Sequence, residues 1–107
     1  MNSSTDIRLL YCTCPDADTA QRIARALVEQ RLAACVNIIP GLRSIYRWKG
    51  EVQDDAECLL LIKTRDLQVP AVTDAVRSLH PYELPEVIAV PVVAGLAPYL
   101  DWVRDNS

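Results

Sequence analysis

The stretch SLHPYELPEV, residues 78–87, holds the chain's single histidine, His80, with Tyr82, Glu83 and Glu86 close behind it. An imidazole in such company suits three kinds of work: ligating a metal, moving a proton, or clipping a loop to its neighbours. Catalysis has the least in its favour. Glu83 and Glu86 are paired carboxylates, but no nucleophile, base and orienting group stand together anywhere in the sequence. The three glycines, Gly41, Gly50 and Gly95, fall in no G-x-G-x-x-G pattern, so no phosphate-cradling loop is expected. The chain is therefore read as a non-enzyme. His80 precedes Pro81 and is biased out of helical geometry, and Pro85 stiffens the path beyond it. A structural role comes first, ending a helix and aiming Tyr82, Glu83 and Glu86 outward, with metal binding second.

Composition narrows the setting. A length of 107 residues fits one domain spanning 1–107, and 50% hydrophobic residues supply a core without disulfides. The formal charge of −3, with Lys and Arg scattered along the chain, argues against nucleic acid as a partner. The longest apolar-rich stretch, 87–97, is roughly half of the ~20 residues a membrane span needs, and it contains Pro91 and Gly95. The opening MNSSTDIRLL lacks the basic and apolar regions of a signal peptide. Four cysteines without a C-x-x-C pair read as reduced thiols. A cytoplasmic protein is expected.

The elements that must position the loop follow from periodicity. Ile7 to Cys14 is a short strand stopped by Pro15-Asp16. Ala20, Ile23, Ala24, Leu27 and Val28 mark one face of a helix, capped by Asp16 or Asp18. A strand from about Ala34 to Trp48 turns at Lys49-Gly50 into a second, Glu51 to Thr64. A helix follows Asp66, with Pro70 in its first turn and Val72, Ala75, Val76 and Leu79 as its buried stripe. The run 86–93 is a fourth strand, and 97–105 a short terminal helix. The order β-α-β-β-α-β predicts an α+β, ferredoxin-like split βαβ fold with a long hairpin. Pro40 and Pro91 then fall in the two edge strands, where a missing N–H is tolerated.

The hairpin is too long for the body it belongs to. Fourteen strand residues reach roughly 45 Å, against a body ~35 Å across for a radius of gyration near ~13 Å. The Tyr46–Val52 tip must overhang the domain or bend at Pro40-Gly41. An exposed two-stranded arm is marginal alone, so it should pack on another copy in a closed ring.

The segments RLAACVNIIPGLRSIYRWKGEV (31–52), LLIKT (60–64), LHPYELPEVIAVPV (79–92) and YLDW (99–102) resemble the CutA family of divalent-cation tolerance proteins. The likeness runs in order from Ile7 to Trp102. It implies a ferredoxin-like fold in tight trimers, a link in bacteria to copper and divalent-metal tolerance, and elsewhere to protein anchoring. It also implies structural kinship with the PII signalling proteins.

The family's copper site is attributed to a cysteine ending the first strand and two adjacent histidines before Pro-Tyr. Cys12 matches the cysteine and His80 the second histidine, but Leu79 stands where the first would be. Cys12 and Cys14 project from the same strand face, and soft thiolates with an imidazole suit copper(I). Copper or another divalent cation is thus the candidate cofactor, on Cys12 and His80 with Glu83 as a reserve oxygen donor. Buried cysteines are as readily small hydrophobes, which is the reading given to Cys35 and Cys58. A second candidate is a cleft between subunits of the homotrimer, built from Tyr46, Trp48, Lys63, Tyr82, Glu83 and Glu86, for a small ligand or protein partner. The same residues would equally serve to pin the subunits together.

Overall fold

The computed structural model describes residues 5–107 and runs β1 (Ile7–Cys14), α1 (Ala17–Glu29), β2 (Cys35–Trp48) and β3 (Glu51–Arg65). It continues through a 3-10 turn at Asp66–Gln68 into α2 (Val69–Leu79), β4 (Ile88–Pro91) and α3 (Ala97–Asp105). All four strands pair antiparallel in the order β2-β3-β1-β4, the ferredoxin-like arrangement. Pro40 and Pro91 do lie in the edge strands. Among the described residues, no helix is long and apolar enough to cross a membrane.

Strand alternation sorts side chains to the two faces. Leu10, Cys12 and Cys14 of β1 join Cys58, Leu60 and Ile62 of β3 under the helices, packed on Ile23, Leu27, Val72 and Val76. The α1 stripe is buried as its spacing predicts, except that Val28, at the rim, is exposed. Asp16 caps α1, its side chain accepting the Thr19 amide at 2.8 Å. That bond holds the Asp16 carboxyl below its ordinary value.

On the opposite face, α3 covers only one end, where Ile7, Ala34 and Val103 are buried with Val92 and Leu100 against them. Farther along, Val90 pairs with Leu9, Ile88 with Tyr11 and Ile39 with Leu59, which places all three on this face. Ile39, Ile88 and Val90 are exposed.

The long hairpin resolves its length by bending. The β2–β3 register slips between Ile39 and Leu42, around Pro40 and Gly41, and resumes to Trp48↔Glu51. Gly41 has φ +79°, the left-handed value a bulge of this kind places on glycine. Lys49 and Gly50, at φ 51° and 82°, make the tight turn. The molecule is 43 Å in its longest dimension. The fourth strand is shorter than expected, pairing only over Arg8–Tyr11. Its last residue, Pro91, has no N–H to donate, and the Val92 amide beyond it bonds Ile7 O at 3.1 Å.

Candidate functional site

Packing rules build the first cluster. Alternation turns Cys12 and Cys14 into the core, both wholly buried. Leu79 packs against the same core and ends α2. His80 then takes extended geometry, φ −80° and ψ 137°, as its place before Pro81 predicts. Its ring turns back onto the end of β1 and is nearly buried. The Cys12 and Cys14 sulfurs and a ring nitrogen of His80 lie within 4.8 Å of one another.

The imidazole is fully used by the backbone. Nδ1 accepts the Tyr82 amide at 3.1 Å, so the proton sits on Nε2, which donates to Thr13 O at 2.7 Å. A ring that donates from one nitrogen and accepts at the other is neutral, and it fastens the loop to β1. Cys12 Sγ donates to Thr13 O at 3.8 Å. The neighbouring Cys14 sulfur and burial push the Cys12 thiol up, while Cys12 beside it holds Cys14 below the ordinary thiol value. The easier thiolate is therefore at Cys14. Two sulfurs in a sealed site fit a soft, thiophilic ion rather than an oxygen-seeking one. His80 offers a nitrogen only by giving up one of its two backbone bonds.

Glu83 is not in this cluster. Its side chain is 76% exposed and pairs with Lys49 Nζ at 3.8 Å, because the loop carries it outward toward the hairpin turn.

The second site is a groove of about 810 Å³, bordered by Tyr46 and Trp48 of β2 and by Tyr82, Glu83 and Glu86 of the loop. These side chains border one groove within a single chain, on the side where the expected cleft would meet a neighbouring subunit. Lys63 lies elsewhere, its Nζ 3.3 Å from Tyr99 Oη and 5.6 Å from that ring's centre. Strand spacing explains this: six residues of β3 separate Lys63 from Glu57 at the groove, about 20 Å at ~3.3 Å each.

Tyr82 was expected to point outward and instead turns in. Its hydroxyl donates to Glu57 Oε2 at 2.7 Å, and burial with that bond pushes the hydroxyl well above its ordinary value. Glu57 is only 7% exposed. Beside it Tyr46 donates to Asp55 Oδ2 at 2.6 Å, and that bond also raises its hydroxyl. Sequence reasoning passed over Glu57 and gave Cys14 less weight than Cys12. The signal for Glu57 was its place as the last of three acidic residues before the apolar run CLLLIK.

Comparison with known proteins places this geometry. The family model described as CutA1 divalent ion tolerance protein matches residues 8–106. The human "Protein CutA" is 60% identical over 94 residues, 88% of this chain and 52% of its own length. The chain thus spans about half the length of the mammalian relatives it matches. The "Divalent-cation tolerance protein CutA" of Thermus thermophilus is 55% identical over 99 residues, 92% of this chain and 96% of its own. The crystal structure of CutA1 from Oryza sativa superposes with a TM-score of 0.93 at 42% identity, covering 99% of this chain and 97% of that one. Fold, order of segments and these matches lead to one conclusion: the chain belongs to the CutA family of divalent-ion tolerance proteins.

Proposed function

We propose that this chain serves metal-ion tolerance as a cytoplasmic homotrimer, and that its metal seat is the Cys12–Cys14 sulfur pair with His80 beside it. The observation that carries the reading is the convergence of three donor atoms within 4.8 Å in a site closed to water. Copper is the ion this donor set favours, held as copper(I) by two thiolates. The easier deprotonation of Cys14 supports first attachment there. A competition titration against a copper(I) chelator under reducing conditions tests this. Cys12→Ser and Cys14→Ser are each expected to abolish tight binding, and affinity unchanged in both would overturn the reading.

The homotrimer is supported by the bare sheet face carrying Ile39, Ile88 and Val90, an apolar area a second copy would cover. Sedimentation equilibrium of Ile88→Asp should show dissociation, because a buried unpaired charge is costly. A full trimer in that variant would count against this face.

A second reading treats the groove as the site of a small ligand or partner, as in PII-like modules, with a neighbouring subunit closing it. It is favoured by the complete engagement of His80 by backbone, which lowers its standing as a ligand. Ligand binding that persists in the Cys12→Ser Cys14→Ser double variant would support it.

A further inference from the structure

We propose that the groove binds a small organic cation, an amine or guanidinium carried on an apolar body, with Glu57 as its anchor. The inference rests on the second reading above, that the groove takes a ligand, and adds the chemistry of that ligand.

Glu57 carries the argument. The residue is nine-tenths buried, yet only Oε2 has a partner, the Tyr82 hydroxyl at 2.7 Å. Oε1 has no hydrogen-bond donor among the described residues, although an ionised carboxylate offers about four acceptor positions. Arg65 Nε is the one buried side-chain polar atom without a partner among the described residues, so Oε1 keeps contact with solvent and opens on the groove, where a cation can reach it. The cations around the groove are committed elsewhere. Arg43 forms a two-pronged pair with Asp54 at 2.9 and 3.3 Å. Arg47 Nη1 bonds Gly50 O at 3.3 Å, and Lys49 pairs with Glu83. No described residue forms a salt bridge with Glu57.

The walls complete the selection. Tyr46, Trp48 and Tyr82 present aromatic rings beside this carboxylate, and ring faces attract cations while welcoming apolar bodies. Glu86 borders the same space and would repel an anion. The volume of about 810 Å³ lies within the ~300–1,000 Å³ of small-molecule sites. A bare metal ion fits poorly. Among the described residues, the one group of three or more ligating side chains close enough to share an ion is Cys12, Cys14 and His80, which includes no groove carboxylate.

Isothermal titration of the assembled protein with phenethylamine, phenethyl alcohol and phenylacetate tests the charge directly, since the three differ chiefly in their head group. Phenethylamine, protonated at neutral pH, should bind at least about tenfold more tightly than the alcohol, as hydrogen bonds to charged groups require. Phenylacetate should not bind. Glu57→Gln keeps an oxygen for Tyr82 and should remove the amine's advantage. Equal binding of all three, or a preference for phenylacetate, would overturn the cation assignment and leave the groove a ligand site. Absence of binding by any of them would overturn both.

Discussion

The thiol cluster and the groove flank the end of β1 on opposite faces of the sheet, and one loop serves both. His80 locks that loop to Thr13 on the cluster side, and Tyr82, two residues on, reaches Glu57 on the groove side. The cluster is made by core packing, so its ring nitrogens are satisfied by backbone and its sulfurs are sealed in the core, with Cys12 Sγ donating to Thr13 O. The groove is made by a bent hairpin facing a loop, where a buried carboxylate keeps an open oxygen. Groups satisfied from within give stability and admit a ligand only by exchange. A group left partly unsatisfied gives little stability and is free to recognise something.

The largest expected effect comes from breaking the shared support. His80→Ala leaves the Tyr82 amide without a partner and Thr13 O with only the weak Cys12 Sγ donor at 3.8 Å, at a cost of roughly 2–4 kcal/mol. Thermal unfolding should shift down by several degrees, and a melting curve like that of the parent protein would contradict the clip role.

Tyr82→Phe acts on the groove alone. Losing a hydroxyl that donates to a carboxylate should cost about 1–3 kcal/mol, while copper(I) affinity stays as it was. A parallel loss of copper affinity would mean that the two sites are coupled more tightly than their faces suggest.

The bulge is a smaller lever on the same comparison. Gly41→Ala forces a side chain into φ +79° at about 1–2 kcal/mol. It should disturb Trp48 at the hairpin end without touching Cys12 or Cys14. Denaturant midpoints and tryptophan emission would follow it.

The Asp6–Arg104 pair belongs to neither site and should matter least. Its hydrogen bonds from Arg104, at 2.6–3.0 Å, hold the Asp6 carboxyl below 3.8. A lowered folded value means a contribution present above the ordinary carboxylate pKa and lost as pH falls through the folded one. Both partners are partly exposed, so solvent screens the gain. Asp6→Asn should lower stability slightly at neutral pH and remove part of the decline below about pH 4, as acid titration of the unfolding midpoint would reveal.

Much of this was legible because period and punctuation carry it. The alternation of Leu10, Cys12 and Cys14, the stripe of α2 ending at Leu79, and the effect of Pro81 on His80 are local and act through backbone geometry. The edge prolines were consistent with the strand order in the same way. The contact of Tyr82 with Glu57 was not legible, since it spans 25 residues and depends on where the loop crosses the sheet. Lys63 was separable in principle, because counting along the strand already put it two turns of alternation and more from the groove.

Copper-edge X-ray absorption of the protein loaded with copper(I) under reducing conditions tests the central claim most directly. Two sulfur neighbours are expected at the metal, with both lost in the Cys12→Ser Cys14→Ser variant. A first shell of nitrogen and oxygen only, or one unchanged in that variant, would contradict the account.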